Sequence, residues 1–259
     1  MNTNPNSPAT SLRILAPGAT VSRDPAVQPK TGFISPPQSG VFDETVEVGE
    51  SVVQAVRRCR AGGTILLRPG THLLPKDDSL LLATPVHIFG NGRASLECDS
   101  YTVVSSSAPS GTLDGVKVHC RSGKLYNGFG ILITAGAIRV QRCEVTSDAN
   151  ASLCVMGSAA PFIVACKFSG GSNAGCIFRD TSFPGGTGAV SECEFFDNVG
   201  PGIVIMHQTG VVVSKSKIRD GRGPGVLIFE GGAEADLSDS EIVSNAGPNI
   251  SILKVGSAI

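Results

Sequence analysis

The sequence predicts an all-β fold, a right-handed parallel β-helix (solenoid) of about eight coils, and three observations support this prediction. A short apolar and small-residue pattern recurs at a nearly constant interval, the turn after each pattern holds Gly, Asn or Asp at fixed positions, and the composition suits short strands. The 259-residue chain contains 32 Gly and 16 Pro, no Trp, and 41% hydrophobic residues. Such a mixture favours many short strands joined by tight turns over long helices.

Five consecutive units share the repeat. In each unit a small residue follows the first apolar residue by three positions, and a second apolar residue follows it by five. The units are Val140/Cys143/Val145, Ile163/Cys166/Phe168, Val190/Cys193/Phe195, Val213/Ser216/Ile218 and Leu237/Ser240/Ile242, at intervals of 23, 27, 23 and 24 residues. A unit of this length cannot bury a core alone, so we expect it to stack on its neighbours as one coil. Connections between parallel strands are almost always right-handed, which predicts the hand.

A six-residue turn follows each unit, and its third and fifth positions hold only Asp, Asn or Gly. The third positions are Asp148, Gly171, Asn198, Gly221 and Asn245, and the fifth are Asn150, Asn173, Gly200, Gly223 and Gly247. These residue types tolerate positive φ, so we expect left-handed backbone at both positions. On this prediction Gly221→Val costs about 1–3 kcal/mol through backbone strain.

Two segments precede the repeats. Residues 1–43 are Pro-rich and have no sustained period, which predicts a tail that is disordered or packed on the solenoid of residues 44–259. Ser51 and Gln54 match the Ser-x-x-Gln capping box, and an apolar stripe follows, so we expect a short helix near residues 51–61. This helix would cap the exposed edge of the first coil.

Composition also restricts the partners. The formal net charge of −1 gives no general attraction for nucleic acid or anionic lipid. The N-terminus lacks a basic region followed by an apolar run, and no apolar stretch approaches about eighteen residues, so we expect no signal peptide or transmembrane segment and a cytoplasmic location. The eight cysteines contain no Cys-x-x-Cys pair, and we expect no metal and no cofactor.

The small residues of the repeat form one inward column, which has two interpretations. Stacked cysteines could bind a metal or act in redox chemistry, or the corner could admit only small side chains. Ser216 and Ser240 continue the column and favour the second interpretation. The next, outward position alternates in charge, which predicts a cross-strand ladder that fixes the register: Glu144, Lys167, Glu194, Lys217 and Glu241.

The last strand of each coil is apolar on both sides. Alternation places one set of its residues outward, where we expect an interaction face formed by Leu132, Met156, Ile177, Arg179, Val204, Met206, Leu227, Phe229 and Leu253. A patch of this length exceeds what a soluble monomer usually exposes. The sequence offers three possible covers, namely the N-terminal segment with Leu12, Ile14, Leu15, Phe33 and Ile34, a second copy of the chain, or another protein. We favour self-association.

Insertions interrupt the period at two turns; insertions in solenoids often lie on the binding face, and neutral drift is the alternative for both. One lies within residues 119–129. The other lies within residues 179–187 and gives, with the end of a neighbouring strand, a candidate loop site of Asp180, Phe183 and His207.

Three parts of the sequence resemble a known family. They are residues 62–72 (Gly-Gly-Thr-Ile-Leu-Leu-Arg-Pro-Gly-Thr-His), residues 85–92 (Pro-Val-His-Ile-Phe-Gly-Asn-Gly) and the coils from Gly130 onward. Residues 45–259 resemble the pectin-lyase-like superfamily of right-handed β-helices with PbH1-type repeats. Within it they are most similar to the non-enzymatic branch found in an F-box substrate receptor and in a Shc SH2-domain-binding protein. The resemblance is specific for the fold, because this solenoid supports lyases, hydrolases, epimerases and binding proteins alike.

We therefore expect a non-catalytic interaction or scaffolding module that binds itself or a protein partner. The alternative is a carbohydrate-active enzyme, either a polysaccharide lyase or a glycoside hydrolase, or a glycan-binding module of the same superfamily. An enzyme of that kind needs positioned carboxylates or a carboxylate beside Arg or Lys, and the outward column above contains none. The absence of Trp and the presence of only two Tyr disfavour glycan binding.

Overall fold

Successive coils of the chain stack strand upon strand in the computed structural model, which describes residues 13–15, 33–76, 78–99, 102–121, 128–180, 188–206, 209–229 and 233–253. Two short strands and a helix come before the coils: β1 (Arg13–Leu15), β2 (Glu44–Val46) and α1 (Val52–Arg58). The eight coils then contain, in order, β3 (Gly63–Leu67), β4 (Gly70–Leu73) and β5 (Leu80–Leu82); β6 (Val86–Cys98) and β7 (Thr102–Ser106); β8 (Thr112–Cys120) and β9 (Phe129–Gly136); β10 (Arg139–Gln141), β11 (Glu144–Ser147) and β12 (Ala151–Ala159); β13 (Phe162–Val164), β14 (Lys167–Ser169) and β15 (Ala174–Arg179); β16 (Ala189–Ser191), β17 (Glu194–Phe196) and β18 (Ile203–Met206); β19 (Gly210–Ser214), β20 (Lys217–Arg219) and β21 (Val226–Phe229); β22 (Glu234–Asp236), β23 (Glu241–Val243) and β24 (Ile250–Leu253).

Strands of successive coils pair in parallel and give the solenoid three faces. The first face contains β10, β13, β16, β19 and β22, the second contains β11, β14, β17, β20 and β23, and the third runs from β5 to β24. In the second and third coils the long strands β6 and β8 serve both the first and the second face. The repeat residues lie in register, as in the column Val145, Phe168, Phe195, Ile218 and Ile242. The predicted architecture is confirmed.

One continuous apolar core fills the solenoid because every coil contributes inward residues from all three faces. Phe168 and Phe195 stack inside it with ring centroids 5.2 Å apart. Helix α1 closes the N-terminal end: Ser51 Oγ accepts a hydrogen bond from the backbone N–H of Gln54 at 3.3 Å, and Val52, Val53 and Val56 are buried. At seven residues α1 is far too short to cross a bilayer, and no other described segment forms a membrane-spanning helix.

The turn between the second and third strands of each coil, the Asn corner, corrects a sequence prediction. Left-handed backbone occurs at the second position of the turn rather than at the third and fifth. It is found at Gly170, Asp197, Asp220 and Ser244, with φ between 52° and 74°. The expectation of positive φ at Gly221 is therefore wrong, and its mutational cost cannot come from that strain.

Close approach of backbone, from the same turn at the third position and from the preceding coil at the fifth, explains the small residues there. A Cβ atom added to Gly171 would lie 1.8 Å from the carbonyl oxygen of Ala174, and one added to Gly200 would lie 1.6 Å from that of Asn173. At Asn198 the side chain bonds across coils: Oδ1 accepts from Gly171 N at 3.1 Å, and Nδ2 donates to the carbonyl of Phe168 at 3.4 Å. Asn245 repeats the first contact with Gly221 N at 3.0 Å.

A second corner, at the predicted column of small residues, separates the first and second strands of the fourth to eighth coils, and its left-handed backbone was not predicted; we call it the Cys corner. Its left-handed residues carry ordinary side chains, namely Arg142, Ala165, Glu192, Lys215 and Asp239, with φ between 49° and 56°. The next residue turns inward and is the Cys or Ser of the repeat. Cys193 Sγ donates to the carbonyl of Ser191 at 3.2 Å, and Ser216 Oγ donates to that of Ser214 at 2.8 Å.

Candidate functional site

The predicted interaction face is the outer surface of the third face. One outward row is aligned by the pairing of β9, β12, β15, β18, β21 and β24. It consists of Leu132, Cys154, Ile177, Val204, Leu227 and Ser251. Met156, Arg179 and Met206 align in a second row two residues further along the strands, and Phe229 and Leu253 continue it. The structure therefore brings together all the residues that alternation places on this face. We call these two rows the apolar face.

Side chains of the apolar face form a hydrophobic cluster separate from the core. Cys154 is fully buried, Ile177 and Val204 are each 7% exposed, and Leu253 is 45% exposed. Leu132, Met156, Met206, Leu227 and Phe229 are half-buried and pack against this cluster. Burial raises the pKa of the Cys154 thiol to about 11, so the thiol is protonated at neutral pH.

Arg179 is the one charged side chain in the aligned rows of the described apolar face. Its Nη2 contacts the sulfur of Met156 at 3.8 Å, and its buried Nε has no hydrogen-bond partner. Asp180 follows it at the surface with φ 52°. Of the candidate loop site, Phe183 and His207 lie outside the described residues.

A polar cluster that the sequence analysis missed lies on the outer surface of the first face. One outward row there contains His87, Thr112 and Arg139, and the next contains Asp114 and Gln141. His87 Nδ1 lies 3.0 Å from Thr112 Oγ1. The signal was present in the sequence, because polar residues flank an apolar one in the segments 112–114 and 139–141.

The carboxylate of this cluster is already bound in an ion pair. Arg142 binds Asp114 through both oxygens of the carboxylate, with Nε donating to Oδ1 at 2.8 Å. This hydrogen bond raises the pKa of Arg142 above its ordinary value. Burial lowers the pKa of Arg139 and that of His87. A carboxylate held by a guanidinium on both oxygens is poorly suited to accept a substrate proton.

A third surface feature is a cleft of about 340 Å³ near the start of the solenoid, lined by Leu66, Leu67, Arg68, Pro69, Gly90, Asn91 and Arg93. Arg68 already pairs with Glu47 at 3.3 Å, and both side chains are more than half exposed. Exposed pairs of this kind contribute little energy, and the cleft brings no acid and base together.

Seven of the eight cysteines belong to the core of the solenoid, and Cys154 belongs to the apolar face. All eight are buried, and burial raises the pKa of Cys143 and Cys166 well above the ordinary value. Within the described ranges no three His, Cys, Asp or Glu side chains come together as a metal site. The charge ladder of the second face is in register, with ion pairs from Lys117 to Glu144 at 3.2 Å and from Lys217 to Glu241 at 3.0 Å.

Comparison with known proteins agrees with this geometry. The family model described as "Right handed beta helix region" matches residues 88–258. The chain belongs to this family. No curated protein matches it.

Similar solved structures include the pectate lyase Pel9A, with 13% identity, a TM-score of 0.53, and coverage of 73% of this chain and 64% of that one. They also include the PL6 family alginate lyase AlyGC, with 12% identity, a TM-score of 0.43, and coverage of 92% and 40%. The chain thus spans less than two thirds of either structure. At such identities the likeness to Pel9A shows the fold alone.

Proposed function

We propose that this protein is a non-catalytic interaction module in which two copies pair through their apolar faces. The observation that supports this function is the hydrophobic cluster on the outside of the third face, formed by in-register rows over six strands. Strands that are apolar on both sides are normally buried on both sides. Cys154, Ile177 and Val204 are already buried within one copy, so pairing with a second copy would cover the residues that stay half-buried or exposed, which are Leu132, Met156, Met206, Leu227, Phe229 and Leu253.

The shape of the apolar face suits a second copy. Six strands about 4.8 Å apart extend it for about 25 Å, and three residues along each strand add about 10 Å, so one copy contributes a footprint of roughly 250 Å². A two-fold axis lying in the plane of the interface would place the same rows against each other in both copies. The footprint is below that of standard protein interfaces, so we expect a dissociation constant in the micromolar range.

Residues 33–46 of the N-terminal segment do not cover the apolar face. Ile34 bonds to Gln141 on the first face, and β2 pairs with β3. Leu12 lies outside the described residues. Of the three covers that the sequence offers, a second copy needs no further component, and a different protein is the competing outcome of the experiment below.

A carbohydrate-active role has weaker support. In the described part of the apolar face the titratable side chains are Arg179 and the Cys154 thiol, whose pKa lies at about 11. On the first face Asp114 is held by Arg142. The resemblance to the non-enzymatic branch with an F-box receptor and a Shc SH2-domain-binding protein agrees with an interaction role, and we propose the same class of function here.

Sedimentation equilibrium of the full chain from about 5 to 200 μM tests the proposal, because a micromolar dimer dissociates within that range. The wild type should show a concentration-dependent dimer, and the double variant Leu227→Glu/Phe229→Glu should be monomeric. Leu73→Glu is the matched control, since Leu73 lies on β4, away from the apolar face, and is 67% exposed. A wild type that stays monomeric at every concentration contradicts the proposal, as does a control that dissociates equally.

A further inference from the structure

The described parts of the N-terminal segment cross the solenoid from its last coil to its first. Strand β1 pairs antiparallel with β22 in the eighth coil. Ile34 then contacts β10 in the fourth coil, Phe42 contacts β6 in the second, and β2 pairs with β3 in the first. We call residues 33–42 the strap. It lies on the outer surface of the first face, over the polar cluster.

Gln141 holds the strap by its backbone. Its side chain is fully buried, although it points away from the core. Oε1 accepts a hydrogen bond from Ile34 N at 3.1 Å, and Nε2 donates to Ile34 O at 2.6 Å. One amide thus binds both polar groups of a single residue, as a neighbouring strand would. The Ile34 side chain is 37% exposed and contributes little to this recognition.

Two aromatic contacts flank this amide pair. The Phe33 ring lies 5.0 Å from the Arg142 guanidinium, which Asp114 fixes in place, and such cation–π contacts are favourable within about 6 Å. The Phe42 ring meets that of Phe89 edge to face at 5.8 Å. The first face therefore supplies a site for an aromatic ring, a site for the adjacent peptide unit, and a second aromatic site further along.

We propose that the outer surface of the first face is a binding site for an extended peptide, in which the strap is the resident ligand and the strap of a second copy is the exchanging one. All three contacts are to the backbone and rings of the strap itself, so the same segment supplied by another copy would make the same contacts. The resident strap competes because its tether gives it a high local concentration. This site is separate from the apolar face, and the inference does not rest on the proposed dimer.

A fluorescent synthetic peptide with the sequence of residues 30–42 tests this proposal by fluorescence anisotropy against the full chain. Ile34→Pro in the protein removes the resident N–H donor, so we expect the peptide to bind this variant roughly 3–10-fold more tightly than it binds the wild type. A peptide with N-methyl-isoleucine at the position of Ile34 lacks the same N–H and should bind the variant more weakly by a similar factor.

The double variant Ile34→Pro/Gln141→Leu tests whether the Gln141 amide is the group that binds the peptide N–H. Without the Gln141 amide, the plain and N-methyl peptides should bind equally. Equal binding of the two peptides to the Ile34→Pro chain, or no binding up to about 1 mM, overturns the proposal. A readout that needs no added peptide is amide hydrogen exchange at Ile34, which should be protected in the wild type and accelerated in Gln141→Leu; an unprotected Ile34 amide in the wild type also contradicts it.

Discussion

In the later coils the Asn corner and the Cys corner each contain a left-handed residue, yet the groups that hold the two turns differ. At the Asn corner, glycines make room for neighbouring backbone and an asparagine side chain bonds to the coil before it. At the Cys corner, an ordinary residue adopts left-handed backbone and a small donor turns inward. A turn repeated from coil to coil is therefore held by close packing and a cross-coil hydrogen bond at one corner, and by a small inward donor that bonds within its own turn at the other.

The largest effect should come from filling the space at the Asn corner. In Gly200→Ala the new Cβ would lie 1.6 Å from the carbonyl oxygen of Asn173, and backbone cannot yield as a flexible side chain can. We expect the free energy of unfolding, measured by urea titration, to fall by about 3 kcal/mol or more.

Gly221→Ala is the matched control for this change. Its Cβ would first meet the side-chain oxygen of Asn245 at 3.1 Å, which can move, and its φ is not positive. A loss below about 1 kcal/mol is expected. Equal losses in the two variants would mean that the distinction between backbone and side-chain obstruction is wrong.

A smaller loss should follow removal of the bonding side chain at the same corner. Asn198→Ala leaves the Gly171 N–H and the Phe168 carbonyl without their partner at a site that is 1% exposed, so we expect a loss of about 1–3 kcal/mol in the free energy of unfolding. Asn173→Ala is the control, because Asn173 is exposed, and it should change the value by less than about 0.5 kcal/mol. Thermal unfolding of both variants would measure the difference.

At the Cys corner, Cys193→Ser should cost about 1 kcal/mol or less, because Ser216 already makes the equivalent hydrogen bond one coil later. Urea titration under reducing conditions measures the difference. A loss above about 2 kcal/mol would indicate that the sulfur contributes more through its contacts in the core than through its small size and donor.

The smallest effect should be a gain. Lys215 is exposed and has φ 49°, so Lys215→Gly relieves about 1–2 kcal/mol of left-handed strain. Against this gain, the greater entropy of glycine in the unfolded chain costs about 0.5–1 kcal/mol. The net stabilisation should be near 0.5 kcal/mol by the same titration. Lys217→Gly, in an extended strand and paired with Glu241 at 3.0 Å, should be destabilising instead.

Strand alternation and the 23–27-residue interval were sufficient to predict the coils, their register and the two outward rows of the apolar face. These three features depend on local periodicity, because a strand that pairs in parallel with the next coil must place equivalent residues one above another. The columns from Leu132 to Leu227 and from Val145 to Ile242 confirm this. The turn residues were identified correctly, but their role was not, because Gly171 is required by close backbone in its own turn and Gly200 by backbone of the preceding coil.

The sequence by itself thus determined the solenoid, the inward positions and the apolar character of the third face, because each follows from the side chains of a repeating unit. Only the tertiary structure decided where the left-handed residues lie, since Arg142 and Glu192 have no preference that marks them. It also decided where the strap packs. Gln141 and Ile34 are 107 residues apart, and their hydrogen bonds exist only because eight stacked coils provide a surface for the segment to cross. No local pattern encodes a contact of that kind, because it depends on the finished shape of the solenoid.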